Sequence, residues 1–170
     1  MVIRSKQLIA IAAAASGLVA FSTAHAAGAV SAHAELGSAS GSKVTGTVAV
    51  TATSGGVHLD VKAAGLAPGV HGFHVHEVGD CSAPDASSAK GHFNPGAKPH
   101  GSHAGDLSDL TADATGSAHL SVDIPGLTLD DGPTSILGRA FVIHADPDDH
   151  KSQPAGNSGK RVACGVIKAG

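Results

Sequence analysis

The pattern that most restricts the fold is a strict alternation of apolar and polar residues over two neighbouring stretches. Val44, Gly46, Val48 and Val50 alternate with Thr45, Thr47, Ala49 and Thr51, and Val57, Leu59 and Val61 alternate with His58, Asp60 and Lys62. A period of two puts one set of side chains on each face of an extended chain, and the β-branched residues favour that extension. Ser54-Gly55-Gly56 supplies the turn between them, so the spacing predicts an antiparallel pair of strands. Ala118, Leu120, Val122 and Ile124 alternate in the same way, and strand-like runs occur at Ala32 to Leu36, His71 to Val78, Ile136 to His144 and Arg161 to Lys168. No stretch has a convincing period of 3.6. The expected architecture is all-β: an antiparallel Greek-key sandwich or barrel of about eight short strands, with two long functional loops.

The first 26 residues are of another kind. Arg4 and Lys6 precede an apolar run from Leu8 to Phe21, and Ala24-His25-Ala26 offers a small-x-small cleavage site. This is the pattern of a secretory signal peptide; the alternative, a membrane anchor, needs about 20 apolar residues and the run is shorter. Residues 27–170 are therefore expected to form one exported domain of about 144 residues, long enough for its own core. The periplasm is the expected location, with secretion as the alternative. Without the leader, 9 basic residues face 14 acidic ones. No basic stripe is available to neutralise phosphates, which argues against nucleic acid as a partner.

Residues 71–106 hold six of the twelve histidines, and imidazole is the commonest metal-ligating side chain. His74 and His76, one residue apart on a predicted strand, project from one face and can converge on one ion. His71, at an odd spacing from His74, falls on the opposite face and is assigned a structural hydrogen-bonding role. His92, His100, His103 and Asp106 lie in a loop from Gly79 onward that lacks any apolar periodicity, and a loop of that length needs something to order it. Three nitrogens and a carboxylate suit four-coordinate zinc. His144 ends the apolar run Ala140-Phe141-Val142-Ile143 and can add a nitrogen to the first group. Cys81 and Cys164 are an isolated pair in an exported chain, which points to a disulfide, with two thiolate metal ligands as the alternative.

The segments GFHVHEVGDC, GHFNP, HAGDL, FVIHADPDD and GNSGKRVACGVI, in this order, closely resemble the copper/zinc superoxide dismutases, specifically the exported bacterial kind. The similarity runs from about residue 33 to the C-terminus. The resemblance implies His74, His76, His92 and His144 as copper ligands and His92, His100, His103 and Asp106 as zinc ligands, with His92 bridging the two ions. It implies Asp148 as the carboxylate that orients one histidine of each group, Cys81 and Cys164 as the disulfide, and Arg161 as the guanidinium that holds the anion beside copper. The implied cofactors are one copper and one zinc per subunit, and the implied substrate is superoxide, with copper alternating between two oxidation states. Monomer and homodimer both stay open, and no membrane partner is expected for the mature form.

Two departures from the family pattern stand out. His100 and His103 are only three apart, so the zinc loop is short. The segment from Asp148 to Arg161 is short too, and Lys151, Lys160 and Arg161 are the cations expected near the site. A non-catalytic copper/zinc carrier of the same fold is the competing reading. A zinc hydrolase is disfavoured because it needs an open zinc position and a general base.

Overall fold

The alternating stretches form the centre of an antiparallel sheet. The structure, a computed structural model, describes residues 30–170; the signal peptide assigned to residues 1–26 and the mature start near Ala27 lie outside the described residues. The strands are β1 (Ser31–Ser38), β2 (Thr45–Thr53), β3 (Gly56–Ala64), β4 (Gly69–His71), β5 (Phe73–His76), β6 (Leu110–Ala112), β7 (Ala118–Pro125), β8 (Ala140–His144), β9 (Arg161–Val166) and β10 (Lys168–Ala169). All pairings between them are antiparallel. Their order in the sheet is β4-β6-β7-β3-β2-β1-β9-β8-β5, with β10 added to β1. The two ends of this order, β4 and β5, are consecutive in the chain, so the sheet curls until its first and last strands are joined through Gly72. The result is a nearly closed barrel, as the alternation predicts.

The finer differences have local causes. Ten strands are present where about eight are expected, because β4, β6 and β10 span only two or three residues and are too short to show a period. The run from His71 to Val78 is divided at Gly72, whose N–H donates to Asp146 O (2.9 Å) and whose carbonyl accepts from His144 N (2.8 Å). There the chain changes partner, from β6 to β8. Only Ala140–His144 of the run beginning at Ile136 is strand; Ile136 itself starts a turn, with Arg139 N donating to its carbonyl.

The interior is filled by the expected inward set. Val57, Leu59 and Val61 of β3 are fully buried, as are Phe73 and Val75 of β5 and Phe141 and Ile143 of β8. Phe73 and Phe141 stack with ring centroids 5.4 Å apart. Each such side chain contributes about 1.5–3 kcal/mol by leaving water. In β3 the outward residues face solvent, but β5 and β8 are buried on both faces. The outward face of β5 is covered by the loops that carry most of the candidate ligands, and that covering builds the site.

Candidate metal centre

The strand β5 bonds on both edges. One edge pairs with β8; on the other, Phe93 N donates to Val75 O (2.8 Å) and Val75 N donates to Gly105 O (2.9 Å). Single bridges join His74 to Asp106 and His76 to His92. The loop after β5 is thus laid back along the strand that holds the first two histidines.

Two donor groups result, each with ligand atoms within 4.8 Å of one another: His74, His76, His92 and His144, and His92, His100, His103 and Asp106. In the first group all four residues are buried. His74 and His92 stack at 3.8 Å between centroids, and Nε2 of His76 lies 3.4 Å from Nε2 of His144. Burial pushes the imidazole pKa of His74 down to about 4, that of His144 to about 3 and that of His76 to about 2, and in His76 the Arg161 charge adds to it. These rings are neutral near pH 7, the state a metal requires.

In the second group three ring nitrogens gather on one carboxylate oxygen. Nδ1 of His92, His100 and His103 lies 2.9, 3.3 and 3.2 Å from Asp106 Oδ1. Donors spaced about 3.3 Å apart are what a tetrahedral ion with bonds of about 2.0–2.1 Å requires. The other oxygen, Oδ2, accepts from Gly101 N (2.8 Å) and His103 N (2.9 Å), which fixes the carboxylate. Burial alone would raise the Asp106 pKa, but these hydrogen bonds and the neighbouring rings outweigh it and hold it below the usual carboxylate range. The fit to ions is carried by the buried nitrogens that no hydrogen bond satisfies: His74 Nδ1, His92 Nε2 and His100 Nδ1. A buried polar atom without a partner is costly, and here each belongs to a donor group. His92 offers Nδ1 to the second group and leaves Nε2 to the first.

Asp148 ties the groups together. Its Oδ2 contacts His74 Nε2 at 2.7 Å and its Oδ1 contacts His100 Nε2 at 2.8 Å, so each ring has its other nitrogen free for a metal. His71 sits apart, bridging the carbonyls of Ala67 (2.8 Å) and His144 (2.9 Å) through its two ring nitrogens. The disulfide Cys81–Cys164 is formed, and with Ala86 and Ala89 it packs the loop of residues 79–91 onto Ala140 and Val142. Arg161, opposite His144 on β9, donates from Nη1 to Ala86 O (2.6 Å) and from Nη2 to Lys90 O (2.6 Å). Its guanidinium is thereby fixed beside the first group.

Three contributors give no clear sign in the sequence. Gly156 (φ 65°) lies where an added Cβ would be 1.7 Å from Asp148 Oδ1 and 2.5 Å from His100 Nε2, and within Pro154 to Gly159 it reads as one more turn glycine. Arg139 covers the Phe93 ring at 3.6 Å and donates to Glu77 O and Ser135 O, clamping the loop next to His92. Lys90 corrects the expected set of nearby cations. Its carbonyl accepts from both His76 Nδ1 (2.9 Å) and Arg161 Nη2, so its backbone is built into the site rim. Its backbone, at φ 63° and ψ −148°, lies in a region that costs a residue other than glycine about 1–3 kcal/mol.

Comparison with known proteins agrees with this geometry. A family model described as copper/zinc superoxide dismutase (SODC) matches residues 44–167. The chain belongs to the copper/zinc superoxide dismutase family. It is 44% identical over 147 residues to superoxide dismutase [Cu-Zn] 1 of Aquifex aeolicus, covering 80% of this chain and 86% of the relative. It is 42% identical over 144 residues to the superoxide dismutase [Cu-Zn] of Deinococcus radiodurans, covering 75% and 79%. Among solved structures, a SOD-like protein from Bacillus subtilis aligns with a TM-score of 0.73 at 37% identity, over 78% of this chain and 95% of that one.

Proposed function

We propose that this chain is a superoxide dismutase in which two superoxide anions and two protons become dioxygen and hydrogen peroxide. The observation that carries it is the division of His92: one nitrogen belongs to the three-nitrogen, one-oxygen group that suits zinc, the other to the four-nitrogen group that suits copper, with Arg161 alongside. When bound, copper supplies the one-electron redox couple, while zinc, without redox chemistry, holds charge and geometry. His74, His76, His92 and His144 would hold the copper; His92, His100, His103 and Asp106 would hold the zinc.

The protein's own groups do the rest. Arg161 binds the small anion through a guanidinium that Ala86 O and Lys90 O hold in place before substrate arrives. Asp148 fixes the orientation of His74 and His100. His92 would carry a proton at Nε2, the nitrogen without a hydrogen-bond partner, only while that nitrogen is not bound to copper.

The working assembly is also a proposal. The N-terminal pattern and the disulfide support export, with the periplasm as the compartment. A homodimer is supported by β7, which pairs with β6 only at Ala118 and leaves its outer edge open beyond that residue. Among the described residues no helix is long and apolar enough to cross a membrane. The deciding measurement is superoxide dismutation by the copper- and zinc-loaded mature chain, with cyanide sensitivity; full metal content without turnover would support the carrier reading instead. Arg161→Ala is expected to keep its metals and lose about tenfold or more in rate, and an unchanged rate at all ionic strengths would remove its assigned role.

A further inference from the structure

The four donors of the second group are not held in the same way. His92 bridges to His76 of β5 and precedes Phe93, whose N–H donates to Val75 O (2.8 Å) and whose carbonyl accepts from Gly105 N (2.8 Å). His103 and Asp106 hold each other: His103 N donates to Asp106 Oδ2 (2.9 Å), and Asp106 N donates to His103 O (3.2 Å). His100 belongs to no strand, and among the described residues no backbone group bonds to its N–H or to its carbonyl. Yet it is buried, where a backbone N–H without a partner is costly.

Gln153 supplies what is missing. Its Oε1 accepts from His100 N (2.9 Å), and its Nε2 donates to His100 O (3.4 Å) and to Lys151 O (3.2 Å). A backbone N–H can only donate and a carbonyl can only accept, so the amide has one orientation. The turn that presents Gln153 is itself cross-tied: Asp149 Oδ1 accepts from Lys151 N (2.9 Å) and Ser152 N (2.8 Å), its Oδ2 accepts from Ser152 Oγ (2.6 Å) and Asn157 Nδ2 (3.1 Å), and Gly156 N donates to Ser152 O (2.7 Å). One loop therefore grips His100 twice, through Asp148 at ring Nε2 and through Gln153 at the backbone. What it leaves free is Nδ1, 3.3 Å from Asp106 Oδ1. A side chain 53 residues along does for His100 what a neighbouring strand does for His92, and with His103 only three residues away little local chain is available to do it.

We propose that Gln153 is a positioning residue for zinc, its amide fixing the His100 backbone so that Nδ1 stands in place before the ion binds. The proposal rests on the reading of this group as the zinc site, but its test does not need turnover. A side chain that merely strengthens the fold stabilises the metal-free and the zinc-bound chain alike and leaves zinc affinity unchanged; one that places a ligand changes the affinity itself. The experiment withdraws Zn2+ from the copper- and zinc-loaded protein with graded concentrations of a chromogenic chelator, while copper is followed by its absorption band. Gln153→Ala is expected to weaken zinc binding about 10- to 100-fold and to keep its copper. Gln153→Met, of similar length but without the amide, is expected to match alanine. Zinc affinity unchanged in Gln153→Ala would overturn the proposal, as would recovery in Gln153→Met, which would mean that bulk suffices, or an equal loss of both metals, which would mean a general loosening of the loop. If the parent holds both metals and Gln153→Ala sheds zinc, yet the parent fails to dismutate superoxide, the positioning role stands and the dismutase reading falls. An active parent whose alanine variant keeps its zinc would mean the reverse.

Discussion

His58 of β3 and His74 of β5 each lie 2.7 Å from an aspartate, Asp123 and Asp148, and each shares its strand with a second polar residue two positions on. The resemblance ends there. The His58 side chain is 40% exposed and that of Asp123 79%, whereas His74 and Asp148 are both at 0%. Solvent covers the outward face of β3, and the returning loops cover that of β5. Spacing puts two side chains on one face; burial under a loop that brings further donors turns them into a metal site. The same contact is an ordinary surface pair in one place and an orienting link between two donor groups in the other.

The largest expected consequence is acid sensitivity. In the unfolded chain these imidazoles take up protons near pH 6.5, while in the folded, metal-free chain burial depresses His74 to about 4, His144 to about 3 and His76 to about 2. Below pH 6.5 the unfolded state binds more protons, so stability falls with pH, by about 1.4 kcal/mol per ring per unit until each ring's folded value is reached. Unfolding free energies of the metal-free protein from denaturant titrations at pH 7 and pH 5 should differ by several kcal/mol, and loading with metal should move the loss to lower pH. Equal values would break the contrast between the two histidine environments.

Gly156→Val comes next. Its side chain has nowhere to go but into Asp148 and His100, so stability is expected to fall by about 3 kcal/mol or more, with zinc content reduced. Normal stability with full zinc would show that the link between the groups tolerates displacement. The smallest effect belongs to the surface pair: His58→Ala should change stability by less than about 1 kcal/mol and leave metal content untouched. A larger loss would mean that the outward face of β3 contributes more than its exposure indicates.

The legibility of the sequence divides along the same line. Strands β2, β3 and β7 are visible because one face meets water and the other the core, so polarity alternates. In β5 and β8 both faces are covered, alternation disappears, and the break at Gly72 follows from hydrogen bonds to Asp146 and His144 far along the chain. Side-chain donors such as His74, His100 and Asp106 announce themselves by residue type. Lys90, acting through its carbonyl, and Gly156, acting through the atoms it lacks, do not. The partition of the two nitrogens of His92 depends on where Asp106 sits and needs three dimensions.

The spans bridged at the centre set the order of events in folding. Asp148 reaches back 74 residues to His74, and Arg161 reaches back 75 to Ala86 and 71 to Lys90. Contacts of such sequence separation carry a high loop-closure cost before they return any stability, and topologies dominated by them fold slowly. An ion meeting a partly folded chain finds His74 and His76 on a short segment of their own, but His144 arrives only with β8 and Arg161 only with β9. The complete four-histidine group is therefore a late product of folding.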